Sequence, residues 1–157
     1  MTAVLRFLFV IPVAFIFACL TAGFALLWPF VDLTGADGDP LFWVQAVFGF
    51  LAQSAQVGAA VLIPWGLFMV VTESLGWRSL ILHMAAGIIG GFAIMRSAYG
   101  EAMPHASVQT AMIVAGLAFA MVYWIVAGRG AGRWRTPRRL VVLPPAAPQV
   151  VDTAPTP

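Results

Sequence analysis

The stretch LFWVQAVFGFLAQSAQVGAAVLIPWGLFMVVT, residues 41–72, contains no charged side chain. A helix needs roughly 20 consecutive apolar residues to cross the hydrocarbon core of a bilayer. Three further apolar runs accompany this one, at residues 4–30, 79–98 and 104–127, and the connections between the runs are short and polar. The sequence therefore predicts an all-α integral membrane protein in which four transmembrane helices form an antiparallel bundle.

Composition supports this class, because 62% of the residues are hydrophobic and only 9% are charged, against about 25% charged residues in soluble domains. We expect residues 1–127 to form the transmembrane domain. Residues 128–157 then form a tail that is basic at first and Pro-rich later, and so short a segment cannot build its own core. We expect this tail to be cytoplasmic and disordered. The single cysteine, Cys19, excludes an internal disulfide.

The orientation of the chain follows from its arginines, because basic residues near helix ends are retained on the cytoplasmic side. Arg6 precedes the first run, and five arginines follow the fourth, whereas the first loop carries Asp32, Asp37 and Asp39 and no basic residue. Both termini are therefore predicted to be cytoplasmic. All eight basic residues are arginine, which we interpret as the coding bias of a high-GC bacterium. The expected location is the bacterial inner membrane.

An export signal is the alternative interpretation of the first run, since Arg6 precedes an apolar core and residues 16–19 faintly resemble a lipoprotein cleavage box. Two features oppose it. The hydrophobic run is longer than the 7–15 residues that are typical of a signal core, and Phe17 is bulky where that box requires a small residue. We expect an uncleaved helix.

The basic part of the tail is predicted to lie against lipid headgroups, where each arginine gains about 1 kcal/mol from an anionic leaflet. The residues concerned are Arg129, Arg133, Trp134, Arg135, Arg138 and Arg139. The lipid bilayer is thus the expected partner of this segment. So short a basic segment is a poor candidate for binding nucleic acid.

Small residues mark a helix-packing face in the third run. Ala86 and Gly90 form one small-xxx-small pair, and Gly87 and Gly91 form a second. Such pairs let two helix backbones approach closely in a membrane. The pattern does not distinguish packing within one chain from association between chains, so we expect either a homo-oligomer or a place in a larger membrane-protein complex.

Three glutamines follow one face of the second run. At 100° per residue, Gln45 and Gln56 lie about 20° apart and Gln53 lies about 60° from Gln56. One interpretation is a possible polar path for water or a small solute. The other is hydrogen bonding between helices, which contributes about 0.6 kcal/mol per contact. The absence of an ionisable group from the stripe favours packing.

The short connection at residues 73–78 predicts that the second and third helices are antiparallel neighbours. Glu73 and Arg78 flank this turn and are expected to be a weak exposed pair. His83 follows one turn into the third helix and is expected to lie near the interface. Pro64 removes one intrahelical hydrogen bond, so the long second helix should bend near it or cross the membrane tilted.

No catalytic constellation, metal-ligand set or cofactor-binding motif is apparent in the sequence. We therefore predict a non-enzymatic accessory or scaffold subunit of a membrane complex. The alternative is an oligomeric transporter of small solutes or ions that uses the glutamine-lined face of the second helix.

Overall fold

The computed structural model describes residues 5–31 and 40–132 of the chain. Of these residues, 88% are helical and none lies in a β-strand. The four long helices are α1 (Ile11–Leu27), α2 (Pro40–Leu75), α3 (Leu80–Tyr99) and α4 (Ala106–Val126). A π-helical turn, Arg6–Val10, precedes α1, and 3-10 turns follow α1 at Trp28–Phe30 and α4 at Gly128–Gly130.

Each of the four helical stretches is long and apolar enough to cross a membrane. They contain 25, 36, 20 and 21 residues, taking Arg6–Phe30 as one stretch. The predicted all-helical architecture with four candidate membrane spans is confirmed. The second span is longer than the prediction by a few residues, because α2 continues through Glu73 to Leu75.

Local sequence explains where the helices begin and end. Pro40 is the first residue of α2, where its missing N–H costs nothing. The fourth helix begins at Ala106 rather than at Pro104, because the ring of His105 caps it by accepting a hydrogen bond from the Ser107 amide. Gly76 ends the second helix with φ +69°, a conformation that a Cβ atom disfavours.

The helices pack in the spatial order α2, α1, α4, α3. The turn before α1 meets the end of α2, where Arg6 pairs with Glu73, and late residues of α1 meet the middle of α2, as Gly23 does at Ser54. Phe15 of α1 contacts Phe119 of α4 edge to face, with ring centroids 5.8 Å apart. The amino-terminal half of α3 lies against the carboxy-terminal half of α4, where Gly87 contacts Gly116.

The expectation that α2 and α3 pack side by side is wrong. They are connected by residues 76–79, and near this turn the rings of Phe68 and His83 meet edge to face with centroids 5.2 Å apart. Beyond that contact the two helices pack little against each other along their lengths. Each packs instead on one of the two central helices. A tight turn fixes where two helices join, but the preferred packing faces decide whether the helices then stay together.

Small residues allow the central helices to pack closely. Six alanines of α1 and α4 are almost fully buried: Ala14, Ala18, Ala22, Ala111, Ala115 and Ala120. Beside them, the indole of Trp65 meets Phe119 and Tyr123 edge to face, at centroid distances of 4.8 and 5.4 Å. These aromatic rings join α2 to α4 near one end of the molecule.

Candidate functional site

A cleft of about 420 Å³ lies between α2 and α3, with α1 and α4 at its base. Its α2 wall runs from Gln53 to Trp65, and its α3 wall runs from Ala86 to Tyr99. Neither the walls nor the base includes an Asp, Glu, Lys, Arg or His. The cleft is therefore a mainly apolar, uncharged space that results directly from the separation of α2 and α3.

Two of the three glutamines of α2 line this cleft. Gln53 is half-buried and Gln56 is exposed, and both contribute to the wall that faces α3. Gln45 is also exposed but lies outside the cleft. Within the described part of the chain, the carboxamides of Gln53 and Gln56 form no hydrogen bond to another residue. An amide that is left unpaired in hydrocarbon costs several kcal/mol.

The small residues of α3 divide between α4 and the cleft. Gly87 and Gly91 are buried, and a Cβ atom on Gly91 would lie 2.8 Å from the carbonyl oxygen of Met112 in α4. A Cβ on Gly90, in contrast, would meet no atom within 4 Å. Ala86 is half-buried and lines the cleft with Gly90. Two of the four positions are thus in close backbone contact, while Gly90 leaves the cleft wall without a side chain.

A buried ion pair joins the start of the chain to the end of α2. The guanidinium of Arg6 donates to Oε1 of Glu73 from Nε at 3.2 Å and from a terminal nitrogen at 2.6 Å. Glu73 is only 4% exposed. The expectation of an exposed Glu73–Arg78 pair at the turn is therefore wrong: Glu73 pairs with Arg6, and Arg78 donates to the carbonyl oxygen of Ala131 at 2.6 Å.

The residues that follow α4 complete this network. We call residues 127–132 the C-terminal segment. The carbonyl oxygen of Ala127 accepts a hydrogen bond from Arg6 at 2.6 Å, and the amide of Gly132 donates to Oε2 of Glu73 at 2.9 Å. All four glycines and alanines at positions 127, 128, 130 and 131 are buried. The C-terminal segment therefore lies inside the packed structure, between the end of α2 and the start of α3.

His83, one turn into α3, is fully buried next to this segment. Its Nδ1 atom lies 2.9 Å from the carbonyl oxygen of Ser79, and its ring stacks on that of Tyr123 with centroids 6.2 Å apart. Its Nε2 atom has no hydrogen-bond partner among the described residues. A Cβ on Gly128 would lie 3.1 Å from that nitrogen and 2.9 Å from the Trp124 ring, so a larger residue there would have to displace these side chains.

Comparisons with known protein families, curated proteins and solved structures gave no match. The two distinctive features of this chain are the uncharged cleft and the buried network of Arg6, Glu73 and the C-terminal segment.

Of the arginines that were assigned to lipid headgroups, only Arg129 lies among the described residues. It is exposed, its Nε donates to the carbonyl oxygen of Ile125 at 2.8 Å, and its guanidinium lies 5.8 Å from the centre of the Trp124 ring. This position is compatible with a headgroup contact. The remaining residues of that set lie outside the described part: Arg133, Trp134, Arg135, Arg138 and Arg139.

Sequence reasoning missed the Arg6–Glu73 pair and the cleft. The available signal for the pair was that Glu73 is the only acidic residue next to the apolar runs on the predicted cytoplasmic side, where Arg6 is one of the basic residues. A charge near a membrane is costly without a partner, so such residues are candidates for pairing. No comparable signal predicted the cleft, which depends on which helix faces pack.

Proposed function

We propose that this protein is a multi-pass protein of the bacterial inner membrane that serves as a non-enzymatic accessory or scaffold subunit of a membrane complex. The observed residue pairs support an antiparallel bundle, since Gly23 lies at Ser54 and Arg6 at Glu73. With α1 and α3 running one way and α2 and α4 the other, the start of α1 and the end of α4 lie on the same side. The arginine-rich tail makes that side the cytoplasm.

The observation that carries the scaffold proposal is the exposure of α2. This helix of 36 residues packs mainly on α1 and reaches α4 and α3 through the rings of Trp65 and Phe68. At about 1.5 Å per residue it is roughly 54 Å long, well beyond a hydrocarbon core of about 30 Å. Ile63 and Leu67, one turn apart, are 74% and 65% exposed on its free side. Such a long helix with an uncovered apolar side offers a surface to the transmembrane helix of a partner.

Purification in mild detergent tests this proposal, because an accessory subunit must retain its partner. We expect a second protein to co-purify at a constant ratio. The variants Ile63→Trp and Leu67→Trp should lose the partner, because the bulky indole rings prevent close contact between helices. The control variant Ile89→Trp, on the exposed face of α3, should retain it. Recovery of the chain alone from all preparations would refute a scaffold role.

A transporter is the second candidate, and the location of Gln53 and Gln56 in the cleft favours it. Two unpaired carboxamides in an otherwise apolar cleft provide hydrogen bonds to a polar solute. If they form part of a path, Gln53→Leu and Gln56→Leu should abolish solute flux in reconstituted vesicles and leave assembly intact. Gln45→Leu is the matched control, since Gln45 lies outside the cleft. Equal flux in all three variants would refute this role.

A further inference from the structure

One ring nitrogen of His83 is buried and unused. The other, Nδ1, lies 2.9 Å from the carbonyl oxygen of Ser79. A carbonyl oxygen can only accept a hydrogen bond, so this contact assigns the hydrogen of the neutral ring to Nδ1 and leaves a lone pair on Nε2. The side chain is 0% exposed, and Nε2 has no partner among the described residues. A buried polar atom of this kind requires an explanation.

The C-terminal segment covers this nitrogen. A Cβ on Gly128 would lie 3.1 Å from Nε2, so the backbone of the segment packs against the edge of the ring. The other sides of the ring face Phe68 of α2, with centroids 5.2 Å apart, and Tyr123 of α4, with centroids 6.2 Å apart. Both of these residues belong to long helices, whereas Gly128 begins a short 3-10 turn. The segment is therefore the neighbour that can move away from the ring.

A second proton on the ring is incompatible with this docked arrangement. It would bind at Nε2 and make that nitrogen a charged donor, and a buried charged group without a partner is more costly than a neutral one. The phenol of Tyr123, which stacks on the ring, is uncharged near neutral pH and supplies no countercharge. The indole Nε1 of Trp65, which is also buried without a partner among the described residues, is itself a donor.

The charges that bind the C-terminal segment also oppose a second proton. Arg6 and Arg78 donate hydrogen bonds to carbonyl oxygens of the segment, and Arg129 belongs to it. The carboxylate of Glu73 is already bonded to Arg6 and to a backbone amide of the segment. A protonated His83 would therefore add a cation to a group in which cations already outnumber the anion.

We propose that protonation of His83 controls the docking of the C-terminal segment, which is docked while the ring is neutral and leaves the ring when Nε2 takes a proton. In the open state, water can accept a hydrogen bond from the new N–H. Because the open state binds one more proton than the docked state, docking is complete at high pH and is lost as the pH falls through the pKa of an accessible histidine, about 6.5.

Undocking changes the surface of the protein at this end of the bundle. Arg6 and Arg78 lose carbonyl acceptors, Glu73 loses the amide of Gly132, and the gap between the end of α2 and the start of α3 opens to water. In the proposed orientation this surface faces the cytoplasm, so the relevant pH is that of the cytoplasm. The inference goes beyond the scaffold role and does not depend on it.

Hydrogen–deuterium exchange of the full-length protein in detergent, measured by mass spectrometry, tests the proposal. The amides of Gly130, Ala131 and Gly132 are hydrogen-bonded in the docked segment, so their protection, corrected for the intrinsic effect of pH on exchange, reports docking. We expect this protection to fall about tenfold from about pH 7.5 to about pH 5.5, the range in which an accessible histidine takes up one proton. Equal corrected protection at both pH values, or an equal loss in the middle of α4, would overturn the proposal.

Two variants that cannot titrate at position 83 identify the group. His83→Asn retains an N–H for the carbonyl of Ser79, and His83→Phe retains a ring against Tyr123. Either variant, once folded, should show protection of residues 130–132 that no longer depends on pH over this range. A pH dependence that persists would assign the effect to another group, such as the carboxylate of Glu73, and refute the role of His83.

The matched control is His105→Asn, at the opposite end of the bundle. His105 is exposed and caps α4, and asparagine is also a good cap, so this variant should keep the full pH dependence. It also leaves His83 as the only histidine of the chain. The ring nitrogens of His83 can then be followed by NMR, and they should titrate together with the loss of protection. A ring that stays neutral while the protection is lost would contradict the proposal without any change at position 83.

Discussion

Replacement of Glu73 by leucine leaves the guanidinium of Arg6 buried without its countercharge. The carboxylate of Glu73 accepts from two nitrogens of Arg6 and from the amide of Gly132, and the two side chains are only 16% and 5% exposed. Loss of one partner from a buried ion pair costs about 3–5 kcal/mol. We expect Glu73→Leu, and likewise Arg6→Met, to lower the free energy of unfolding by that amount.

The double variant shows how much of the stability lost in each single variant comes from the pairing of Arg6 with Glu73. When both charges are replaced by apolar side chains, no buried charge is left unpaired, and such replacements are often close to neutral. We therefore expect the double variant to be less destabilised than the sum of the two single variants by at least about 2–3 kcal/mol. The measurement is reversible unfolding in mixed micelles by titration with a denaturing detergent.

The exposed Glu101 provides the control for this cycle. Glu101→Leu should change the free energy of unfolding by no more than about 0.5 kcal/mol, as is usual at the surface. Additive effects of the Arg6 and Glu73 changes, or single variants as stable as the control, would show that the pair does not stabilise the fold.

Three further predictions concern packing and topology. Gly87→Leu should lower the free energy of unfolding by about 1–3 kcal/mol in the same assay, because a side chain there meets the backbone of α4. Gly90→Leu should be nearly neutral, because its Cβ enters open space. Gly132→Ala should also destabilise the protein, since φ is +70° and the Cβ would lie 2.6 Å from the Cα of Gly76; an unchanged unfolding midpoint would contradict the close contact. Reporter fusions after Gly76 should be active on the cytoplasmic side and fusions after Gly100 on the periplasmic side, and the reverse result would refute the proposed orientation.

The helices were predictable from sequence because membrane spans depend on local composition. A run of about 20 apolar residues is sufficient to indicate a span, and the observed ends differ from the predicted ones by a few residues. The positions of the helix ends also depend on local sequence. The fourth helix starts later than the expected Pro104 because the ring of His105 caps it.

The arrangement of the helices was not predictable in the same way. The pattern of small residues in the third run was compatible with any neighbour, and only the structure shows that Gly87 and Gly91 face α4 while Gly90 faces the cleft. Similarly, Arg6 and Glu73 are 67 positions apart, and no periodicity links them. Contacts of that kind depend on which faces pack, which is a property of the whole chain.

The buried network and the cleft have one structural cause. The C-terminal segment lies between the end of α2 and the start of α3, with Gly132 bonded to Glu73 and packed on Gly76. It holds the backbones of the two helices apart, and the rings of Phe68 and His83 bridge the gap with centroids 5.2 Å apart. We therefore expect Glu73→Leu, which removes the bond to that segment, to bring α2 and α3 closer together. Spin labels at the exposed positions Leu62 and Ile89 should report a shorter or broader distance distribution in this variant than in the wild type. An unchanged distribution in a folded Glu73→Leu protein would show that the cleft is maintained by the packing of α1 and α4 alone.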